Sequence, residues 1–386
     1  TSFEKRYYNQ KNLYNFLGKK YKKFYFINCH YIYNKQKLNI NNTFYKKKNI
    51  FFFNPKTISE LNNFLIKNKI FLINNLSPKF QHFLLHFLVS KKNIFQVSFE
   101  NIPILSNYKT ENWDHVGFFT KISFLFRKRL SKLLYRVLII LRIINQIDIH
   151  YIARKDVFKR YIISNKKVFF FIKRYKGIEP TSVKLPLFLN NKKINNKFIT
   201  FIDSNILHPD ILKRGHSINN KMLKNYFLFL RTYLNNLRIK FNKPVVICLH
   251  PSSDYSLYKR ELKGFKMYKH KTEKYILNSF LLLFHASSSI FNAILLKKKI
   301  ISLRSDILGS YINARRAFYL RNIKLIEHNI DNNPKIVKKV LTNNLNKNIK
   351  NYYKFVNKFY YTEKNSLPIE QIIENKIKKL TKASLN

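Results

Sequence analysis

Val245-Val246-Ile247-Cys248-Leu249-His250-Pro251-Ser252-Ser253 is a short apolar run that stops at a His-Pro pair, and Leu283-Phe284-His285-Ala286-Ser287-Ser288-Ser289-Ile290-Phe291-Asn292-Ala293 stops at a histidine and a run of serines. A continuous apolar stretch of this length, rich in β-branched residues and bounded by small or polar ones, reads as a strand buried on both faces of a parallel sheet. A third strand, Lys197 to Ile202, ends at Asp203-Ser204-Asn205-Ile206-Leu207-His208-Pro209-Asp210. All three polar clusters sit at strand C-termini, the edge where open α/β sheets bind ligands. Parallel pairing would therefore open His250, His285 and the serines Ser252, Ser253, Ser287, Ser288 and Ser289 onto one crevice.

The surrounding segments keep the same rhythm. Asn219 to Phe241 carries Tyr226, Phe229, Leu230, Tyr233, Leu234 and Leu237 at helical spacing, which predicts a long amphipathic helix. Thr272 to Asn278 and Ser289 to Leu296 read as short helices, with Lys299 to Leu303 as a further strand. Toward the N-terminus, Phe24 to Ile27, Ile50 to Phe53, Ile70 to Ile73 and Ile94 to Val97 are compact strand candidates. Thr57 and Glu60 form a capping-box pair opening a helix through Ile66, and Pro78 to Val89 is also helical in spacing. Phe118 to Ile147 reads as mainly helical, Asp148 to Phe158 as a strand and turn, and Lys167 to Ile172 as a strand. The stretch Lys176 to Pro186, with Gly177, Pro180 and Pro186, is the linker candidate. Alternating strands and helices on both sides of it predict an α/β protein of two Rossmann-like domains, residues 1–178 and 179–386, with parallel sheets facing a cleft. A C-terminal helix near Leu367 to Leu380 is expected to pack back across both.

Composition narrows the function classes. The 386 residues carry 74 Lys+Arg against 19 Asp+Glu, a net charge of +55, which ordinarily points to nucleic acid or an anionic membrane. The same chain is rich in Phe (36) and Tyr (25) and poor in Gly (6) and Pro (10), the bias that AT-rich codons impose on any protein. Its cations are interleaved with apolar runs along the whole length rather than gathered in tails, so codon bias is the favoured reading and no nucleic-acid partner is expected. A hydrophobic share of 46% is that of a packed globule. Cys29 and Cys248 are far apart and have no partner at metal-site or disulfide spacing, which fits a reducing compartment. No signal peptide is visible, although the chain opens on Thr1.

The longest apolar segments are interrupted: Phe280 to Leu296 by His285 and serines, Leu133 to Ile149 by Arg136, Arg142 and Asp148. The second, preceded by Arg127, Lys128, Arg129 and Lys132, reads first as a core-facing helix with basic outer positions and second as a helix lying on an anionic membrane surface.

The strand-end residues suit an anionic nucleotide. A small-residue turn from Ala286 to Ser289 leading into a helix can hold a phosphate through amides and hydroxyls. A histidine beside it can donate to a phosphate oxygen or protonate a leaving phosphate, and no metal or cofactor is required. Each motif also has an ordinary structural use, the histidines as surface or capping residues and Ser287 to Ser289 as an N-cap. Their combination on consecutive βαβ units favours the functional reading.

The stretch from Phe201 to Ile326 resembles the C-terminal domain of GT-B proteins of bacterial capsule and surface-carbohydrate biosynthesis, distantly similar to polysialyltransferases and CDP-glycerol glycerophosphotransferases. The resemblance rests on His250-Pro251, the Ser287-Ser288-Ser289 turn followed by Ala293, the strand Lys299-Ile300-Ile301-Ser302-Leu303, the Thr272 helix start and the Asp203 to Asp210 segment. It implies a cytoplasmic glycosyltransferase, or a related phospho-sugar or polyol transferase, that takes a nucleotide-activated sugar donor and a glycan or lipid-linked acceptor without a metal, in peripheral contact with the inner face of the membrane. By the same resemblance His250 and Asp203 would act in catalysis, while Pro251, Ser252, Ser253, Thr272, His285, Ser287, Ser288 and Ser289 would bind the donor or its phosphate. A catalytic base would come from the N-terminal domain, where Glu100, Asp114, His115 and Asp156 are candidates by position. Two alternatives stand beside it: a basic RNA-binding protein such as an organellar ribosomal component, and a sugar-nucleotide epimerase on the same fold.

Overall fold

The computed structural model describes residues 24–27, 50–53, 55–67, 71–74, 82–92, 94–99, 126, 130, 131, 133–167, 175–182, 196–208, 218–334, 338–362 and 366–383. They divide into two compact units, the first built from residues up to 101, 124–184 and 360–386, the second holding 185–359. The C-terminal residues thus group with the first unit, whereas the sequence reading ran the second domain to residue 386.

In the first unit β1 (Phe24–Ile27) and β2 (Ile50–Phe53) form a parallel pair. Helix α1 (Ile58–Lys67) begins as its sequence predicts: the Thr57 hydroxyl accepts from Glu60 N at 3.1 Å. The Glu60 carboxylate reaches back to Lys56 N at 2.7 Å, one residue beyond the ideal box. Strand β3 (Leu72–Ile73), helix α2 (Phe83–Lys91), strand β4 (Gln96–Phe99), helix α3 (133–140, with 126, 130 and 131 also helical), strand β5 (Ile147–Ile152), helix α4 (Lys155–Lys167) and strand β6 (Tyr175–Pro180) follow. The four strands pair in parallel in the order β3-β4-β5-β6.

Two expectations fail here. The segment from Lys176 expected as a linker opens inside β6, and Lys167 ends a helix, with the rest of the strand expected over Lys167 to Ile172 outside the described residues. Gly and Pro marked Lys176–Pro186 as a break, but among the described residues β6 pairs only with β5, and a sheet edge tolerates both. At Gly177 an added Cβ would lie 3.3 Å from Asp148 O, so the close backbone approach accounts for the glycine.

The second unit is a six-stranded parallel sheet in the order β12-β11-β10-β7-β8-β9. Its elements are β7 (Phe198–Ile202), α5 (Asn220–Phe241), β8 (Val245–Leu249), α6 (Tyr255–Glu261), β9 (Lys266–Lys269), α7 (Thr272–Leu277), β10 (Ser279–Phe284), α8 (Ile290–Leu295), β11 (Lys299–Arg304), α9 (Gly309–Ile323), β12 (Ile326–Asn329) and α10 (Lys338–Phe359). Asn219 caps α5 by accepting from Met222 N at 2.8 Å. The α5 face of Tyr226, Phe227, Leu230, Tyr233, Leu234 and Leu237 lies in one core with Phe201, Ile247, Leu283 and Ile301 from four strands. The order in which strands are added across this sheet reverses at one place: β7, β8 and β9 step outward on one side, then β10, β11 and β12 fill the other. The seam between β7 and β10 is therefore a topological switch point.

Helix α11 (Ile369–Ala383) belongs to the first unit, where Ile369 and Ile372 pack on Val97, Ile149 and Tyr151. Among the described residues no helix is long and apolar enough to cross a membrane.

Candidate functional site

The three polar strand ends lie on adjacent strands, β10, β7 and β8, at the C-terminal edge of the second sheet and around its switch point. What organises them is Asp203. Its side chain is 2% exposed, and its carboxylate accepts from Asn205 N at 2.9 Å, His250 N at 3.1 Å, the Ser253 hydroxyl at 2.5 Å and the Tyr258 hydroxyl at 2.6 Å. One buried group thereby fixes the turn after β7, the loop after β8 and helix α6. Charge-assisted bonds of this kind are the strong ones, and removing the acceptor would strand several donors. Asp203 is thus corrected from a catalytic candidate to a positioning residue, because both of its oxygens face inward onto protein donors.

The first bond is an Asx turn, the carboxylate of Asp203 bonding the backbone two residues on. It carries Asn205 into a left-handed backbone conformation, φ 49°, which asparagine tolerates better than most residues. From there Asn205 Nδ2 donates to Ser252 Oγ at 3.0 Å. Ser252 Oγ lies 2.7 Å from His250 Nδ1, and Ser252 N donates to the same nitrogen at 3.3 Å. A backbone N–H can only donate, so Nδ1 accepts, and in the neutral ring the proton sits on Nε2. The loop presets His250 as an Nε2 donor. The His208 ring stands edge-on to it with centroids 5.5 Å apart, and Lys269 Nζ donates to Ser253 O at 2.6 Å, tying the end of β9 to the same loop.

The serine turn is held differently. Ser204 Oγ accepts from Ala286 N at 3.0 Å, which joins the β7 and β10 ends across the switch point. Ser287 Oγ accepts from Ser289 N at 3.3 Å, and the amides of Ile290, Phe291 and Asn292 bond the carbonyls of Ser287, Ser288 and Ser289. Helix α8 spans six residues, and Ser289 at its N-cap makes no side-chain cap bond. The helix dipole therefore adds little here; the half-buried hydroxyls of Ser287, Ser288 and Ser289 are what the turn presents.

His285 is corrected outright. It is fully buried, with Nδ1 2.8 Å from Leu303 O and Nε2 3.0 Å from the Tyr226 hydroxyl. A carbonyl can only accept, so Nδ1 carries the proton and Nε2 accepts from Tyr226. Burial lowers its pKa to about 4, with the Arg316 charge pushing the same way and the Leu303 bond opposing. It is a core histidine with both ring nitrogens bonded inside the protein. Ser253 is equally buried and serves Asp203, and Thr272, at the start of α7, hydrogen-bonds the buried Cys248 thiol, whose pKa burial pushes up to about 12. His250 and Ser287 to Ser289 are partly accessible, and Pro251 and Ser252 are exposed.

Of the base candidates, Glu100, Asp114 and His115 lie outside the described residues. Asp156 is engaged by Arg154 at 2.9 and 2.5 Å and by Arg160 at 3.1 Å, a structural ion-pair cluster around the buried Arg154. Among the described residues no cluster of three or more His, Cys, Asp and Glu forms that could hold a metal. Sequence reasoning missed Asn205, Tyr226 and Tyr258. The Asp203-Ser204-Asn205 pattern carried a usable Asx-turn signal, whereas the tyrosines reach partners 55 and 59 residues away, which no local pattern encodes.

No protein-family model matches the chain, and no curated protein matches its sequence. Solved structures do. The wall teichoic acid polymerase TagF aligns at TM-score 0.52 and 14% identity, over 98% of this chain and 87% of that one. A UDP-N-acetylglucosamine 2-epimerase aligns at 0.46 and 13% over 91% and 89%, and UGT89C1 of Arabidopsis thaliana at 0.45 and 8% over 90% and 89%, values too low to carry an argument of their own. At such identities likeness speaks for the fold alone, and that fold is α/β and GT-B-like, with two Rossmann-like units of parallel strands.

Proposed function

We propose that the chain is a metal-independent transferase that moves a sugar, or a related phospho-sugar or polyol phosphate unit, from a nucleotide-activated donor to a glycan or lipid-linked acceptor in building surface carbohydrate. One observation carries the reading: at the switch point of a parallel sheet, a buried carboxylate holds a histidine with its proton on Nε2, on the strand two places from a turn of three serines. Open α/β sheets bind nucleotides at this edge.

In the reaction, an acceptor oxygen forms the new bond to the transferred group while its bond to the donor phosphate breaks, and the electron pair leaves with the nucleotide. His250 Nε2–H would donate to the departing phosphate, offsetting the charge that develops on it. Ser287, Ser288 and Ser289 would bind the phosphate or ribose, with Pro251, Ser252 and Thr272 shaping the same rim. Asp203 and Asn205 would act through His250 by fixing its loop. The proton lost by the acceptor goes to a base outside the residues assigned here. Lipid-linked acceptors place such a protein in the cytoplasm at the inner membrane face.

A thermal-shift screen of the full chain against CMP-, CDP-, UDP- and GDP-linked donors tests this. The matching nucleotide at a hundredfold excess over its Kd should stabilise the protein by about 2.7 kcal/mol, and His250→Ala should lose most of that gain. Stabilisation by none of the donors, or equal stabilisation of the variant, defeats the assignment.

A further inference from the structure

We infer that His208 is a second phosphate-binding residue, paired with His250 across two neighbouring strand ends. The tripeptide Leu-His-Pro occurs twice in the chain, as Leu207-His208-Pro209 and as Leu249-His250-Pro251, and no other histidine precedes a proline. The first copy follows β7 and the second closes β8, and these strands are parallel neighbours. A turn brings the two histidines together, with Asn205 as its pivot. The Asn205 carbonyl accepts from His208 N at 2.9 Å, while its side chain holds Ser252, which in turn lies 2.7 Å from His250 Nδ1. Ile206, fully buried, and Leu207 anchor the turn in the core of the second unit.

The result is a pair of imidazoles with centroids 5.5 Å apart and planes at 88°. Both residues stay partly accessible, whereas the matching edge-on contact of Phe201 with His285 is wholly buried. A contact made only to cover apolar surface would be hidden from water in the same way. What the pair offers is donors: an imidazole carries at least one N–H whether neutral or charged. A donor nitrogen stands about 2.9 Å from the oxygen it meets, so two rings at this separation can both reach the oxygens of one phosphate. The carboxylates of these loops are engaged elsewhere. Asp203 faces inward onto four protein donors, and Asp254 caps α6 by accepting from Ser256 N and Leu257 N. Lys269, bonded to Ser253 O, adds a positive charge to the same loop. The ligand this chemistry fits is the phosphate of a nucleoside mono- or diphosphate.

The inference rests on the transferase reading and adds that two imidazoles, not one, hold the departing phosphate. Calorimetric titration of the full chain with CMP, CDP, UDP and GDP tests it. His208→Phe keeps a ring beside His250 but carries no N–H, and should weaken binding of the nucleotide that the wild type selects by about tenfold or more, the effect expected of a hydrogen bond to a charged group. His208→Gln keeps an N–H donor and should lose no more than about threefold. Neither variant should move the melting temperature of the ligand-free chain by more than about 3 °C. A nucleotide that binds wild type and His208→Phe equally well overturns the pair and leaves the transferase reading standing, whereas binding of none of the four to wild type overturns both. A His208→Gln chain as weak as His208→Phe, or a ligand-free His208→Phe chain that melts well below wild type, would make His208 a packing residue and overturn the inference as well.

Discussion

The ends of β8 and β10 are written alike, an apolar run stopped by a histidine, yet the structure uses the two residues in opposite ways. His250 bonds its own loop through Nδ1 and holds its proton on Nε2 at the rim. His285 holds its proton on Nδ1, donates a hydrogen bond through it to Leu303 O, and accepts from the Tyr226 hydroxyl inside the core. Position after a strand places a residue at an edge, but the helix laid over that edge decides whether it meets solvent. Tyr226, on the buried face of α5, covers one strand end and not the other.

The sharpest way to break this comparison is to remove the group that shapes the exposed end. Asp203→Ala would leave two hydroxyls and two backbone N–H groups without an acceptor, a loss of about 4 kcal/mol in urea unfolding. A loss below about 1 kcal/mol would show that the hub does not hold the rim.

Next comes the pH response of the buried histidine. With a folded pKa near 4 against about 6.5 unfolded, His285 is neutral in the fold while the unfolded chain takes up a proton as pH falls. Its contribution is complete above about pH 6.5 and is lost progressively down to about pH 4, roughly 3 kcal/mol in all. Melting curves across that window should therefore steepen by one proton relative to His285→Asn. Matching slopes would place His285 in contact with water.

The smallest expected effect sharpens the contrast. His250→Ala and Ser252→Ala remove rim groups that are partly or fully exposed, and each should shift unfolding free energy by less than about 1 kcal/mol. A larger loss at His250 would make it a structural residue like its counterpart.

How far the sequence carried this reading depends on distance along the chain. Strands β7, β8, β10 and β11 and helix α5 stood out because apolar periodicity is local, and Asn219 and Thr57 marked helix starts for the same reason. The short run Lys266–Lys269 carried too few apolar residues to announce β9, and the glycine and prolines near Tyr175–Pro180 hid an edge strand. At the site, the placing of Asp203, His250 and Ser287 to Ser289 at one edge of the sheet followed from parallel pairing. The division of labour among them did not, since Tyr226 and Tyr258, which bury His285 and bind Asp203, are set by tertiary packing.

The first unit closes with material from the far end of the chain. Ser366 Oγ bonds Pro180 O at 2.8 Å, Ser182 N bonds Leu367 O at 3.0 Å, and Ile369 and Ile372 of α11 cover Val97, Ile149 and Tyr151. On a ribosome, the described strands of the second unit are all made by Asn329, while the sheet made earlier waits for α11 to emerge. Synthesis order and completion order are thus reversed, and a chain stalled before residue 369 would leave the older sheet bare on that side.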